Sequence, residues 1–428
     1  MVNIFKHIKI NTKLFCKILI IFSILMKLLI DQFYFPNVIK YFNDLLLIFS
    51  VILLGRYKIK IKKECPYVLF FIIIYLIVSF VSSFLNFTSP LLFLWALRNT
   101  FRGIIYFILI IEVFNNKDIY NLFKFFFIIQ WFSLMFALYQ FFILKHHQDF
   151  IGGIFGYGDG ASLNAFNAMM ISYYLSGYLL GKEKIWKLIS TLSISIIISA
   201  LAEEKLSFLF LPIIILVCVM LCKSSIYKKI YISLFVLFIF MCGLLIIYVL
   251  YPEMFETIIN LEELFNYSQT TYDEGYRLPR IGSISIITDL FFHNDLFNTI
   301  FGIGFGGAET SSFSFLQSNF YKVYGDYNYR WFTIQWLFIE QGYLGFISYL
   351  LIFLSIFFSL SYKKMKSNVS FDSRLIVVSI IMSIYAIISI WYNSSLKNDS
   401  QYLIYFGLSL GFILPNRKKG VISNEYYF

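Results

Sequence analysis

Charged residues are scarce in this chain, and their scarcity limits what kind of protein it can be. Only 14% of its 428 residues are charged, whereas 59% are hydrophobic and the mean hydropathy is +0.76. A disordered chain needs more charge and fewer apolar side chains, and an ordinary soluble domain has about a quarter charged residues. Apolar runs of about 18 residues or more recur along the whole length, as in transmembrane helices. The composition therefore predicts a polytopic membrane protein.

Cysteine and histidine are also few, and their positions exclude two kinds of site. The five cysteines are Cys16, Cys65, Cys218, Cys222 and Cys242. None of them lies in the long polar segment 251–330, so no disulfide framework is predicted there. The adjacent His146 and His147 do not share a helix face, and no other ligand stands beside them at metal-binding spacing. The chain also lacks a P-loop and a nucleophile elbow. We therefore predict neither a metal site nor a cofactor.

The apolar runs predict an all-α polytopic membrane protein with about twelve transmembrane helices. Each run is about long enough to cross a hydrocarbon core as a helix, and none alternates as a barrel strand would. The predicted spans are 14–30, 38–55, 66–85, 90–114, 121–144, 163–180, 186–202, 206–222, 230–250, 331–360, 374–393 and 400–414. We expect residues 1–428 to form a single integral membrane domain with one large extracytoplasmic loop, 251–330, that contains short helices. No internal repeat is visible, whereas many transporters consist of two similar halves.

Positive charge orients these predicted helices. Every second connection is rich in lysine and arginine, beginning with Lys6, Lys9 and Lys13 before the first span, and the others carry almost none. By the positive-inside rule, both termini are cytoplasmic and the loop 251–330 lies outside. The first span lacks a small-residue cleavage site, so we expect an uncleaved anchor. The net charge of +11 thus reflects topology and contact with membrane lipids, and it does not indicate nucleic acid.

Two arginines lie inside the fourth predicted span. Arg98 and Arg102 are four residues apart and share one helix face. An arginine at the centre of a span costs roughly 2.5–3.5 kcal/mol on insertion scales, so each needs a compensating charge. One interpretation is a cavity in which both bind a phosphate or diphosphate. The other is a salt bridge, in which Asp44 of the second span neutralises Arg98.

A second charged cluster, Glu203, Glu204 and Lys205, separates two apolar runs. It is either a short outer turn with solvated charges or a continuous helix that carries these charges into a water-filled vestibule. The surrounding sequence contains no glycine, asparagine or proline that would favour a turn. In the second case Lys205 adds another cation near the headgroups.

The polar loop 251–330 contains ten acidic and four basic residues with aromatic residues between them. Carboxylates beside flat aromatic faces suit carbohydrate, and Asp289 and Asp326 are our candidates for binding sugar. A solvated acidic loop with its own small core is the alternative. After Pro279, apolar residues recur at helical spacing: Ile281, Ile284, Ile287 and Phe291. This spacing predicts an amphipathic helix able to lie along the membrane surface. Arg277 and Arg280 lie at its start.

A glycine-rich segment, FGIGFGG, follows this predicted helix. Gly302, Gly304 and Gly307 match a dinucleotide-binding motif literally. No strand–helix–strand unit surrounds them, so we reject that function. Instead, the glycines predict a tight turn that lets the backbone approach other backbone or a ligand closely.

Three stretches follow one another along the chain: Ala202–Lys205, the pair Arg280–Ser283 and Phe301–Gly304, and the segment WLFIEQGYLG from Trp336 to Gly345. In this order they give the chain a resemblance to the O-antigen and capsule repeat-unit polymerases of the Wzy type and to the related O-antigen ligases. The resemblance spans mainly residues 195–350. The ligases typically place a His-Asn pair about eleven residues before the glycine that stands here at Gly342. This chain has Trp331 and Phe332 there, which favours a polymerase.

The resemblance implies a glycosyltransferase in the inner membrane of a bacterium. Its substrate would be an oligosaccharide on undecaprenyl diphosphate, transferred as a block onto the next lipid-linked repeat unit, and its partners a chain-length regulator and a flippase. We assign catalytic roles to Arg280, Arg277 and Glu204, and diphosphate binding to Arg98, Arg102 and Lys205. The alternatives are a ligase-like glycosyltransferase and a flippase for lipid-linked oligosaccharide.

Overall fold

The computed structural model describes residues 12–54, 65–260, 262–263, 278–366 and 371–413. Within these ranges the chain forms helices and no strand, which confirms the all-α prediction for this part. The helices are α1 Thr12–Asp31, α2 Ile39–Leu54, α3 Pro66–Leu85, α4 Pro90–Val113, α5 Asn116–Leu138, α6 Gly160–Leu179, α7 Ile185–Leu201, α8 Lys205–Leu221, α9 Ile226–Leu250, α10 Pro252–Ile259, α11 Ser283–Leu290, α12 Leu296–Phe301, α13 Asn319–Tyr324, α14 Thr333–Lys366, α15 Phe371–Tyr392 and α16 Gln401–Ser409.

Six helices of the described part are long and apolar enough to cross a membrane. They are Pro66–Leu85, Pro90–Val113, Asn116–Ile143, Ile226–Leu250, Thr333–Lys366 and Ser373–Tyr392. The other six predicted spans also coincide with helices, but these are shorter or less apolar; α7 and α8, for example, have 17 residues each. Apolar helices thus indicate a membrane protein, while the number of twelve spans stays a prediction.

The helices differ in how much of their surface contacts protein. Almost every side chain of α6 is buried against α8, α15 and their neighbours. In α9, by contrast, only 28% of the most apolar 18-residue stretch is buried inside the protein, and Leu237 and Phe238 are exposed. Exposed apolar faces of this kind are stable in contact with lipid and not with water. The bundle therefore has a central helix and a lipid-facing periphery.

The long helix α14 is broken at Gly342, where φ is 59° and ψ is −156°. The glycine-rich segment passes directly against this break. A Cβ atom on Gly302 would lie 2.3 Å from the backbone nitrogen of Gln341, so only glycine fits at this contact. The predicted close approach of two backbones is therefore confirmed at Gly302.

Side chains of α3 satisfy the backbone and side-chain groups at the break. The Ser82 hydroxyl lies 2.7 Å from the carbonyl oxygen of Phe301 and 3.0 Å from that of Glu340. The Gln341 amide donates to the Ser79 hydroxyl at 2.7 Å. A broken helix within a membrane bundle is tolerated when neighbouring side chains bind its freed carbonyls in this way. The contacts fix Glu340 in the interior.

The segment 278–331 folds onto α14 through a small apolar core. Ile287 of α11 is fully buried in this core with Phe292 and Phe338, whereas Ile281 is 48% exposed. The predicted apolar stripe therefore packs against protein at Ile287. This contact does not support the prediction of a helix that lies along the membrane surface. Among the described residues from 251 to 330, no helix exceeds the eight residues of α10 and α11.

Candidate functional site

A cavity of about 910 Å³, called the main cavity below, lies where many helix ends converge. Its walls include the first turns of α2, α6, α8 and α14, the N-terminal half of α4, the turn between α7 and α8, and the C-terminal end of α15. Pockets of roughly 300–1,000 Å³ accommodate substrates of drug-like size. The volume is therefore sufficient for a diphosphate with attached sugar.

The main cavity lies at the end of the bundle opposite several basic connections. The helices α6, α8 and α14 each begin at its wall and end next to lysine-rich segments, which contain Lys182, Lys223 and Lys363 respectively. If the basic connections are cytoplasmic, as their charge predicts, the main cavity opens on the outer side.

Arg98 lines the main cavity and pairs with Asp44. Its Nε atom lies 2.8 Å from Asp44 Oδ2, and a second nitrogen of the guanidinium contacts the same oxygen. The guanidinium carbon also lies 4.6 Å from the ring centre of Trp95. The salt bridge left open by the sequence is therefore present, and the same guanidinium borders the cavity. Pairing with Asp44 fixes its position without removing it from the wall.

Arg102, one turn further along α4, pairs with a different carboxylate. Its NH1 atom lies 2.8 Å from Asp399 Oδ1, and its side chain is almost completely buried. The two arginines therefore have separate acidic partners, which offsets the repulsion between them. Both also line the main cavity, so the two interpretations made for these residues are compatible.

Arg280 reaches the main cavity from the segment before α11. Its guanidinium carbon lies 5.0 Å from the ring centre of Phe332 and 5.3 Å from that of Tyr392. Cation–π contacts of this kind attract a guanidinium to an aromatic ring. Arg280 is thus positioned by two rings, one just before α14 and one at the end of α15.

The cluster Glu203–Lys205 is a turn between α7 and α8, and not a continuous helix. Glu203 has a positive φ of 54°, which non-glycine residues rarely adopt. All three side chains line the main cavity, and Glu204 is buried rather than solvated at the surface. The prediction of a turn is therefore correct. The charges, however, face a cavity, which was expected from the sequence only for a continuous helix.

Hydroxyl groups hold the Glu204 carboxylate. Ser199 Oγ lies 3.1 Å and Ser207 Oγ 3.2 Å from Glu204 Oε2. Behind this carboxylate is a second cavity of about 20 Å³, lined by Ser199, Ser207, Asn167 and Tyr385 among others. That volume is about the size of one water molecule. The two serines that hold Glu204 therefore also line this small, mostly apolar space.

Lys397 forms a fully buried ion cluster beside the main cavity. Its Nζ atom lies 2.7 Å from Glu340 Oε2 and 3.2 Å from Glu309 Oε1, and none of the three side chains is accessible. Its ammonium group also lies 4.1 Å from the ring centre of Trp336. A buried lysine between two carboxylates compensates charges that would otherwise be very unfavourable in the interior.

An amide connects this cluster to the arginine pairs. Asn99 Nδ2 donates to Glu309 Oε2 at 2.8 Å, while Asn99 Oδ1 accepts from Arg98 NH1 at 2.7 Å. The Gln401 amide donates to the backbone oxygen of Asn99 at 3.0 Å. The charged groups of α4, α14 and the connection before α16 thus form one hydrogen-bonded network.

Five of the eight residues predicted for the site line the main cavity together: Arg98, Arg102, Glu204, Lys205 and Arg280. Asp289 and Asp326 do not; both are exposed, and the sugar-binding role predicted for them finds no support in their position. Arg277 lies outside the described residues. The roles of all eight stay predictions.

Several residues of the wall were missed from the sequence. Lys40, Asp159, Lys397 and Asp399 line the main cavity, and Glu309 and Glu340 stand behind it. Lys397 and Asp399 occur in NSSLKNDS, which has the composition of an ordinary polar turn between two spans. A signal was present at Glu340, since a carboxylate inside an apolar run demands a partner.

Charges of both signs meet at the main cavity. Six cationic and four anionic side chains line it: Lys40, Arg98, Arg102, Lys205, Arg280 and Lys397, and Asp159, Glu203, Glu204 and Asp399. Asp44, Glu309 and Glu340 stand behind the wall and pair with Arg98 and Lys397, so the cations are held in place by carboxylates. Guanidinium groups bind phosphate oxygens with two parallel hydrogen bonds. In the described ranges, no three His, Cys, Asp or Glu side chains are grouped as metal ligands. The arrangement can bind a phosphorylated group while holding a carboxylate nearby.

No protein-family model matches the chain, and no curated protein is significantly similar to it.

Proposed function

We propose that this protein is a polysaccharide repeat-unit polymerase in the inner membrane of a bacterium, with both termini cytoplasmic. It transfers a growing glycan from undecaprenyl diphosphate onto a hydroxyl of the next lipid-linked repeat unit. The observation that carries the proposal is the meeting of Arg98, Arg102, Arg280 and Lys205 around one cavity. These cations come from α4, the segment before α11, and the start of α8, which are far apart in sequence.

The cations suit a reaction in which negative charge grows on a leaving diphosphate. The bond between the sugar C1 atom and the diphosphate oxygen breaks, and its electron pair stays on that oxygen. Preorganised guanidinium groups stabilise this charge strongly, because a membrane-embedded cavity has a low dielectric constant. Arg280 is one of these cations, and its guanidinium carbon lies 5.0 Å and 5.3 Å from the ring centres of Phe332 and Tyr392.

The acceptor hydroxyl must lose a proton while its oxygen attacks C1. Glu204 is the candidate base, because its carboxylate lines the main cavity and is held by two serine hydroxyls. General base catalysis typically contributes about 10²–10⁴-fold to the rate. The proton then resides on Glu204, and the diphosphate leaves with the lipid.

A flippase for the same lipid-linked oligosaccharide is the second candidate. Charges buried in a bundle of membrane helices also suit transport. Deletion of the gene distinguishes the two: loss of a polymerase leaves single repeat units on the cell surface, while loss of a flippase leaves none. Unchanged long polymer after deletion would contradict both.

The orientation is tested by labelling with a membrane-impermeant thiol reagent. Ser312→Cys, in the segment before α13, should react in intact cells, and Lys223→Cys, after α8, only after the membrane is opened; both positions are exposed. The reverse result would place the main cavity on the cytoplasmic side and contradict the proposal.

A further inference from the structure

Trp331 and the connection between α15 and α16 form one continuous wall of the main cavity. The backbone nitrogen and the hydroxyl of Thr333 donate to the carbonyl oxygen of Asn393 at 2.9 Å and 2.8 Å. These bonds join the first residue of α14, two positions after Trp331, to the start of the connection between α15 and α16. We call Trp331, Asn393, Ser394 and Asn398, all of which line the cavity, the aromatic–amide wall.

The connection that carries the amides is held rigidly. Lys397, in its centre, is anchored by the buried carboxylates of Glu340 and Glu309. Ser400 Oγ donates to the Ser395 carbonyl oxygen at 3.1 Å, which closes the connection on itself. Polar side chains on such a fixed support bind a ligand with little loss of conformational entropy.

The side chains of this wall have the chemistry that a sugar ring requires. Trp331 is 40% exposed at the cavity, and an indole offers a large apolar face to the C–H face of a pyranose. Asn393 and Asn398 carry amides, which can donate to one hydroxyl and accept from another. Asn393 Oδ1 accepts from the backbone nitrogen of Ser395 at 3.0 Å, and Asn398 Nδ2 donates to Ser394 Oγ at 2.7 Å. These bonds orient the two amides, and Asn398, which is exposed, has a second N–H and its Oδ1 to offer a ligand.

The wall also lies beside Arg280, one of the cations proposed to bind the diphosphate. The rings that hold Arg280 belong to Phe332 and Tyr392, the chain neighbours of Trp331 and Asn393. A sugar attached through C1 to a diphosphate at Arg280 is therefore within reach of Trp331. The two subsites match the two parts of a sugar diphosphate.

We propose that the aromatic–amide wall binds the sugar residue attached directly to the diphosphate, with Trp331 stacking on its ring. The inference rests on the proposed function, and it assigns the sugar subsite to residues other than Asp289 and Asp326. A different role for an exposed tryptophan in a membrane protein is to anchor the chain at the lipid headgroups. That role would not depend on the glycan.

The test compares two ligands on the purified protein in lipid nanodiscs. One is undecaprenyl diphosphate without sugar, and the other is the lipid-linked repeat unit extracted from the protein's own host after deletion of the gene. We expect Trp331→Ala to weaken binding of the glycan-bearing lipid about tenfold, or ~1.4 kcal/mol. Binding of the sugar-free lipid should not change, and Trp331→Phe should restore most of the loss.

Trp391→Ala is the matched control. Trp391 has a similar exposed fraction, 37%, and lies at the end of α15 that is nearest the main cavity. It does not line the cavity, and its ring contacts Phe346. It should affect neither ligand. If Trp331→Ala loses the same affinity for both ligands, or loses none, the inference is overturned. A thermal melt verifies that the variant is folded. Failure of the wild type to bind even sugar-free undecaprenyl diphosphate would instead refute the proposed function and the inference with it.

Discussion

The ammonium group of Lys397 lies 2.7 Å from a carboxylate oxygen of Glu340, and neither side chain is accessible. This pair joins the connection before α16 to α14, just before the break at Gly342. Glu309, the third member of the cluster, joins the segment before α13 to the same point. One buried ion cluster thus fixes three of the chain segments that lie at or directly behind the main cavity.

Replacing Lys397 by methionine should strongly destabilise the protein. Glu340 and Glu309 would remain buried without a counter-charge, and breaking a buried ion pair from one side costs about 3–5 kcal/mol. We expect a clearly lower melting temperature in detergent, measured by intrinsic fluorescence. Lys322→Met, at an exposed position of α13, is the control and should melt like the wild type. Equal melting of the two variants would show that the cluster does not hold the fold.

Gly302→Ala should disrupt the contact between the glycine-rich segment and α14. The added Cβ would lie 2.3 Å from the backbone of Gln341, where no flexible side chain can move away. Gly282→Ala is the control, because Gly282 also has a positive φ, of 83°, but a Cβ there meets nothing within 4 Å. The backbone strain is about 1 kcal/mol for Gly282→Ala, in the left-handed region, and of order 1–3 kcal/mol for Gly302→Ala, because the ψ of −167° at Gly302 lies in a region that essentially only glycine adopts. We expect Gly302→Ala to melt well below Gly282→Ala, and a similar melting temperature for both would contradict the proposed packing.

Arg98 and Asp44 should respond differently if Arg98 binds the diphosphate. Arg98→Met should weaken binding of undecaprenyl diphosphate about tenfold, whereas Asp44→Asn should leave it unchanged or tighten it, since it removes a competing acceptor. Both variants break the same salt bridge. Titration of the two variants in nanodiscs measures the difference. Equal loss in both would mean that the pair serves only the structure.

Glu204→Gln should slow the reaction and leave substrate binding intact. The amide keeps the shape of the side chain but cannot accept the proton of the acceptor hydroxyl, so we expect a rate about 10²–10⁴-fold lower. The affinity for the lipid-linked repeat unit should stay within about twofold. Glu262→Gln, exposed outside the cavity, is the control. A full rate in Glu204→Gln would exclude this carboxylate as the base.

The sequence predicted the helices well because length and hydropathy are local properties. It also identified Arg98, Arg102 and the Glu203–Lys205 cluster, since charges inside apolar runs are conspicuous. The catalytic role of Arg280 was predicted from the order of short motifs, because Arg280 does not lie inside an apolar run.

Asp44 was predicted as a candidate partner of Arg98, and that pair is present, but the other buried carboxylates could not be predicted in the same way. Glu309 is one of ten acids in a polar loop, and its burial beside Lys397 depends on how residues 88 positions apart fold together. Asp289 and Asp326 were chosen from composition, which does not say which way a loop faces. Trp331 was noted for the pair it replaces, and its place in the cavity wall became visible only in three dimensions.

The most direct test of the account is polymerisation by the purified protein. Wild-type protein in nanodiscs, supplied with the lipid-linked repeat unit of its host, should produce a ladder of longer glycans on a gel. Arg280→Ala should yield single repeat units, while the control Arg330→Ala, which removes an arginine that contacts Tyr321 outside the main cavity, should still produce the ladder. A ladder of undiminished length from Arg280→Ala would contradict the central claim that cations in this cavity activate a lipid diphosphate.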